Sequence, residues 1–570
     1  MELTPRAVGT GMMLGALLTP CNVYSGLKIG WSFNMSIAAG LLAAGIWGAA
    51  GRFGAARPWG LYENNINQTA ASSSASIVSA GLVAPIPALT LLTGATFSWP
   101  VLAVWVFVIS LLGVVVAAGI RHHMIVTEGL RFPAGVATAE TITQIHARGT
   151  EAARRLRLLL SAAVVSGGVK AAVELAAAVP RLALPGAVTV TGAGRVGLAN
   201  LGFAFDPSLL MLGFGAIIGW RAGLSLLIGA ILAWGIIAPV VLSLGWVEPG
   251  APGSVWYEPL VGWLLWPGVM LLAVSALVSL ASFLFGFLRR KRGPRTLRLR
   301  GGYGYPLAIA ATALMVTIAA VAIFGLSPVD AIIAVAVSFV LAAVAARVTG
   351  ETGITPIGAL GKITQLTYAG LTPGDVTANL MTANITGGAA GQCADLMDDL
   401  KTGYLIGATP NRQMVAQTFG VLTGSLVGTL VYLVLVPDPR AMLLTPEWPA
   451  PAVVTWKAVA EVLSRGVGAI PPGALPAMAV AAVLGLLSGL AERFLPLAIA
   501  RRLPSAPALG LAFVIPAWTS ISLFLGALGA LVLARLVPLW AERRTVTLAA
   551  GLVAGESLVG VGFAVASLMR

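Results

Sequence analysis

The stretch AAGQCADLMDDLKTGYLIGATP, residues 389–410, carries three aspartates and a lysine inside a chain that otherwise avoids charge. Of 570 residues, 58% are hydrophobic and only 10% charged, against roughly a quarter charged in an ordinary soluble domain. Apolar runs at residues 99–120, 209–244, 260–288, 305–325, 328–346, 414–436 and 474–490 match the ~17–25 residues a helix needs to cross about 30 Å of hydrocarbon. With more polar candidates they predict an all-α polytopic membrane protein of about 14–16 passes, some broken or re-entrant at Gly and Pro. An outer-membrane barrel is excluded, because alternating strands of about ten residues would not give such unbroken apolar runs.

The formal net charge is +14, but its distribution argues against a nucleic-acid partner. Positive residues gather in short connections: Arg289, Arg290, Lys291, Arg292, Arg295, Arg298 and Arg300 in one, residues 148–157 and 535–544 in two others. The connections at 246–258 and 438–448 lack Lys, and Arg440 is their only Arg. The positive-inside rule then puts the basic loops in the cytoplasm and the chain in the cytoplasmic membrane, with the lipid bilayer as its surroundings. Cys21 and Cys393 lie in apolar sequence and suggest neither a disulfide nor a metal site. His122, His123 and His146 are too few and too ill-spaced for metal ligands, so no metal or other cofactor is expected.

No long polar linker or soluble domain interrupts the chain. The basic connection at 289–302 divides it into a first membrane half, 1–288, and a second, 303–570. Three short matches support the division: residues 65–71 with 384–390, 201–205 with 509–513, and Pro133 followed by Ala139-Glu140-Thr141 with Pro410 followed by Ala416-Gln417-Thr418. Their shared order fits two related halves around a midplane site, a common plan for secondary transporters.

An Asp, Lys or Arg at the centre of a lipid-facing helix costs about 2.5–3.5 kcal/mol, so Asp395, Asp398, Asp399 and Lys401 together would cost about 10 kcal/mol there. They must face protein or water. On a helix, Asp395 lies three and four positions before Asp398 and Asp399, and Lys401 three beyond Asp398. Lys401 can neutralise one acid and leave the others close enough to repel one another, the arrangement in which a carboxyl group takes up and releases a proton. A wet cytoplasmic helix end, its charges simply solvated, accounts for the same residues. Residues 351–365, with Glu351, Thr352, Lys362 and Gln365, hold too much Gly, Pro and polar side chain for a lipid-exposed helix and suit a broken one, whose freed carbonyls and N-termini can become ligands. Residues 22–28, with Asn22, Tyr24 and Lys28, and 63–69, with Glu63, Asn64, Asn65 and Gln68, share this texture. For the neighbouring Ser and Gly residues, close helix packing is the simpler reading. For Lys28, Glu63, Glu351 and Lys362, static ion pairs (Lys28 with an acid, Lys362 with Glu351 or an aspartate) and a part in transport stand side by side. Glu556 is a further intramembrane acid. Lys170 and Glu174, four apart, read as an internal pair, and Asp206 as the cap of a following helix.

Taken together, these motifs resemble the oligopeptide transporter family, in particular its prokaryotic members and the related yellow stripe-like metal-chelate carriers. The matching stretches are 22–28 (NVYSGLK), 63–76, 131–140, 206–209 (DPSL), 350–365, 391–403 and 554–556 (AGE), which span nearly the whole chain. The resemblance implies a helical secondary transporter that takes up peptides or peptide-like metal chelates, is driven by the proton gradient and can form a homodimer. One departure is Gly353-Ile354-Thr355-Pro356, which stands where many relatives carry an acid and an asparagine. On this reading the site lies between the halves. Asn22, Tyr24, Lys28, Asn64, Asn65, Gln68, Thr352, Lys362, Gln365, Asn384, Gln392 and Lys401 bind substrate, and Glu63, Glu351, Asp395, Asp398 and Glu556 couple to protons. A membrane-embedded enzyme, such as a lipid-modifying transferase or protease, would need a zinc motif or a nucleophile with its histidine that the sequence lacks. A passive channel would conduct without saturating.

Overall fold

An apolar chain can satisfy its backbone in lipid by coiling every segment into helix, and this one is helical almost throughout. A computed structural model describes residues 2–568 other than 33, 55–56, 148, 177–180, 252, 290–303 and 501. The basic connection from Arg290 to Arg300, and Arg148, lie outside the described residues. Among those described, 11 helices are long and apolar enough to cross a membrane. Two more, Pro5–Ile29 and Val376–Ile406, have the length, at 25 and 31 residues, with lower hydropathy. The protein is an all-α polytopic membrane protein, in which the described strands form only two short antiparallel ladders.

The chain folds as two compact units, one of Met1–Gly26, Trp31–Arg157 and Lys291–Pro437, the other of Leu27–Gly30, Leu158–Arg290 and Asp438–Arg570. Each draws on chain from both sides of the 289–302 connection, so the units in space and the halves in sequence partition the molecule differently.

In the first unit the helices are α1 (Pro5–Ile29, its last residues from Leu27 belonging to the second unit), α2 (Ser36–Arg52), α3 (Leu61–Ala75), α4 (Pro85–Thr93), α5 (Trp99–Arg121), α6 (Pro133–Ala147), α7 (Tyr305–Phe324), α8 (Pro328–Thr352), α9 (Ile357–Leu371), α10 (Val376–Ile406) and α11 (Pro410–Leu435). The quoted stretch lies on α10, which packs against α3, α4, α5, α6, α8, α9 and α11 and is buried along most of its length. Large apolar side chains point outward instead, among them Leu307, Ile318 and Val340, as a lipid-facing surface requires. Two breaks interrupt the helical runs. After α3 the chain tightens into a 3-10 turn, Ser76–Ala80, and reverses at Gly81 with φ +114°. Between α8 and α9 it turns at Gly353, φ +78°, so the expected break in 351–365 is present.

Helices in lipid associate by close packing of small residues, and α3 is held in this way from two sides. Gly11 and Gly15 of α1 and Gly420 and Gly424 of α11, each pair spaced by four, lie against its backbone and serines. A Cβ on Gly11 would stand 2.7 Å from the Asn67 carbonyl oxygen, and one on Gly424 2.5 Å from that of Ser74.

In the second unit, Tyr257–Arg289 packs on Ala474–Phe494 and Ala506–Ala512, while Ala517–Leu536 packs on Leu209–Ile218 and Trp220–Ala230. Trp234, Tyr257 and Trp263 sit in its apolar core, and Trp234 and Tyr257 donate to the carbonyls of Ala512 and Val514 at 2.9 and 2.6 Å. The apolar run 209–244 is divided at Gly219, φ +82°. Lys170 pairs with Glu174 at 2.6 Å as read from the sequence. The cap of Leu209–Ile218 is Ser208, which accepts from the Met211 N–H, rather than Asp206. Asp206 lies 3.7 Å from Arg181 instead.

Gly424→Val should lower stability by about 1–3 kcal/mol or more through overpacking against Ser74, seen as a fall in the melting temperature of the detergent-solubilised protein. Gly48→Ala, where an added Cβ meets nothing within 4 Å, should leave that temperature unchanged or raise it slightly through better helix propensity.

Candidate functional site

A polar helix buried among others must have its hydrogen-bonding groups met by those neighbours. Along α10 most of them are. The Asn384 side chain donates to the Ala80 carbonyl at 2.9 Å and accepts from Trp105 Nε1 at 2.7 Å, which holds the α3–α4 break against α10. Gln365 of α9 and Asn379 are joined twice, Gln365 Nε2 to Asn379 Oδ1 at 3.1 Å and Asn379 Nδ2 to the Gln365 carbonyl at 2.7 Å. Asp398 Oδ1 accepts the Gly135 N–H at 3.2 Å and so caps the start of α6. Lys401 donates to the Leu130 carbonyl at 2.8 Å and lies 5.6 Å from the Tyr404 ring centroid. The expected pairing of Lys401 with a neighbouring aspartate is not made: Asp398 is turned to α6 and the lysine to the segment before it.

Farther round α10 the partners run out. Asp399, 1% exposed, takes one hydrogen bond at Oδ1 from Ser36 of α2 at 3.3 Å, while its Oδ2 has none. Gln68 and Gln413 both donate to Thr69 Oγ1, at 3.0 and 3.2 Å, and Gln413 also to the Asp399 carbonyl at 2.8 Å. Their amide oxygens are left over. Gln68 also donates to Asn65 Oδ1 at 3.2 Å, and Asn65 Nδ2 has no partner. Gln417, one turn beyond Gln413, is fully buried with neither amide atom bonded. Gln392 reaches Ser76 at 3.4 Å with its oxygen unmatched, and Asp395 faces the same serine. Asp395 is partly exposed although its helix is buried on either side of it. Asp395, Asp398 and Asp399 make no ion pair among the described residues. Buried polar atoms without partners are rare in native proteins and each calls for an explanation; here Asn65, Gln68, Gln392, Asp399, Gln413 and Gln417 supply them from three helices of one unit. The arrangement offers amide and carboxyl groups to a polar guest.

The remaining predicted residues have other placements. Asn22 donates to the Ala75 carbonyl at 2.9 Å, and Asn64 to that of Gly40 at 3.2 Å. Tyr24 is buried on α1. Glu63 forms a two-point ion pair with Arg6, whose Nε stands 2.7 Å from Oε1, and takes a further bond from Thr4; Arg6 lies over Trp47 and Trp59. Thr352 closes the α8 break by bonding the Val348 carbonyl and the Ile354 N–H. Glu351 pairs with Arg347 at 3.6 Å, not with Lys362, because the arginine lies one turn back on the same helix face and the break intervenes. Lys362 is 5% exposed and donates to the Gly358 carbonyl of its own helix at 3.3 Å. In the second unit, Lys28 stands 4.8 Å from the Trp448 ring centroid. There Glu556 caps Leu209–Ile218, accepting from Ser208 Oγ at 2.7 Å and the Leu210 N–H at 2.8 Å. Among the described residues no group of three His, Cys, Asp or Glu could hold a metal ion. Gln413, Gln417 and Thr69 were not singled out from sequence; the four-residue spacing of two glutamines in an otherwise apolar helix is the signal that could have found the first two.

Replacing Asn384 by Leu should strand the Trp105 N–H and the Ala80 carbonyl, each at about 1–3 kcal/mol, and lower the melting temperature without any ligand present.

The family model described as OPT oligopeptide transporter protein matches residues 2–292 and 303–567. A provisionally named oligopeptide transporter of Saccharomyces cerevisiae is 25% identical, over 76% of this chain and 77% of its own length. A provisionally named metal-nicotianamine transporter of Oryza sativa subsp. japonica is 23% identical over 100% and 94%. A provisionally named oligopeptide transporter of Haemophilus influenzae is 25% identical over 95% and 91%.

Proposed function

The chain belongs to the oligopeptide transporter family and is a multi-pass membrane transporter, not an enzyme, and from that premise we propose that it is a proton-coupled importer of oligopeptides or peptide-like metal chelates in the cytoplasmic membrane. The observation that carries the coupling is the row of three carboxyl groups on α10 with no counter-cation among the described residues, of which Asp395 alone is partly exposed. An intramembrane acid is rare and costly unless it serves a pathway. Glu63, Glu351 and Glu556 each hold a fixed partner, which supports a structural duty for them. Asp395 is left as the proton carrier, with Asp399 behind it. Substrate would be met by the unmatched amides of Asn65, Gln68 and Gln392 on α3 and α10, one from each sequence half and thus in keeping with a site shared by two related halves. The basic connections fit the cytoplasmic side, and an inward proton gradient would then drive import.

The test is uptake of a labelled tripeptide, or of a nickel–nicotianamine chelate, into proteoliposomes. An imposed inward proton gradient should drive accumulation above the external concentration. Asp395→Asn should abolish that accumulation while exchange of substrate down its own gradient persists. Uptake indifferent to the gradient, or full gradient-driven uptake by Asp395→Asn, would count against the coupling, and a conductance that does not saturate would favour a channel.

A further inference from the structure

Of the three lysines singled out by sequence, only Lys362 combines burial with the lack of any partner outside its own helix. Lys401 is committed to the Leu130 carbonyl, and Lys28 lies over an indole in the other unit. Lys362 is 5% exposed, and its Nζ uses one N–H on the Gly358 carbonyl at 3.3 Å. No carboxylate lies within ion-pair distance among the described residues, and the two remaining N–H bonds have no protein acceptor. An ammonium group taken out of water without a counter-charge costs several kcal/mol, so a native fold that keeps one invites an anion from outside.

The surroundings fit such a guest. By folding back to Gly358, the side chain brings its charge to the first turn of α9, immediately after the Gly353 break, where the free N–H groups of a helix start also favour negative charge. That turn lies against α10: a Cβ on Gly391 would stand 3.0 Å from the Ile357 side chain. The next residue on α10 is Gln392, fully buried with its amide oxygen unmatched, and one turn on is the partly exposed Asp395. The ammonium and the helix start supply the groups that favour an anion, while the acceptors on the adjoining turn of α10, the Gln392 amide oxygen and the Asp395 carboxyl group, suit N–H donors elsewhere on the same guest and not its carboxylate.

We propose that Lys362 is the anchor for a substrate carboxylate, and that the protein accepts substrates presenting a free carboxylate and discriminates against those in which it is masked. The assignment rests on the transporter reading above and narrows its substrate class; the carboxylate could be the C-terminus of a peptide or an acid group of a metal chelate. Lys362 is a binding and specificity residue and needs no part in proton movement.

Binding would be measured by thermal shift and calorimetry on the purified protein in detergent, with no gradient, using trialanine, trialanine amide and nickel–nicotianamine. The wild type should bind at least one carboxylate probe. Preference for trialanine over its amide by about 10- to 100-fold, the worth of one charged hydrogen bond, would identify a peptide C-terminus; binding of the chelate alone would identify the other source. Lys362→Gln should weaken the productive carboxylate probe by the same factor and erase any acid-over-amide preference, and Lys362→Arg should keep most of both. If the glutamine variant folds poorly, the arginine variant and the wild-type comparison still decide. Undiminished carboxylate binding by Lys362→Gln, equal affinity of the wild type for trialanine and its amide with no chelate binding, or no binding of any carboxylate probe would overturn the proposal. A wild type that binds carboxylates selectively yet accumulates nothing in vesicles would instead sink the coupled-uptake reading and leave this one standing.

Discussion

One constraint organises the first unit: α10 is polar on most of its faces and buried on most of them. Leaving a buried donor or acceptor unmatched costs about 1–3 kcal/mol, and a 31-residue helix of this composition presents many. The neighbours supply partners, and each partnership fixes a neighbour in return. Asn384 holds the break after α3, Asn379 holds α9, and Asp398 and Thr402 together hold the first turn of α6 through Gly135. Gly135 has to be small there, since a Cβ would run into the Asp398 carbonyl. The helices around α10 are thus positioned by hydrogen bonds as well as by packing, which is unusual for lipid-embedded segments, where small-residue contact does most of the work.

The same constraint shows where the packing stops being self-sufficient. On the side toward α3 and α11 the amide oxygens of Gln68 and Gln413, both amide atoms of Gln417 and the second oxygen of Asp399 find nothing to bond. A membrane protein built only for stability would fill such positions with leucine or alanine. Keeping them polar is consistent with a passage in which bound guests, water or protons complete the network in turn, and it explains why polar residues of α3 and α10, far apart in sequence, occupy adjoining faces.

Much of this was legible in the sequence, for identifiable reasons. Charge in the 389–410 stretch is incompatible with lipid, which leaves protein or water as its surroundings, and α10 is in fact buried along most of its length. Gly and Pro marked the break near Gly353, and the Lys170–Glu174 spacing gave its ion pair directly. Partner choice between helices was not legible. Lys401 and Asp398 are near neighbours on one helix yet bond to α6 and the segment before it, and Glu351 is met by Arg347 rather than Lys362. Such choices depend on which backbone groups neighbouring helices leave exposed, a property of three-dimensional placement that periodicity does not carry. For the same reason the partners of Glu63, for which the sequence left a static ion pair and a part in transport side by side, and of Glu556 were not legible: they are Arg6 and a helix start. That each unit draws segments from both sides of the 289–302 connection was hidden as well, because a linear division at a basic loop says nothing about which segments return to pack together.

The glycine contacts on either side of α3 bear on motion. Backbones that approach so closely that a methyl group would not fit between them leave little slack for sliding, since an added Cβ on Gly11 or Gly424 would already stand within 2.7 Å of a carbonyl oxygen of α3. Helices α1, α3 and α11 would therefore travel as a single rigid slab. A rearrangement that moved the helices around the polar row would take up its displacement elsewhere, and the seams bridged by side-chain hydrogen bonds, along α6 and α9, can break and re-form at modest cost.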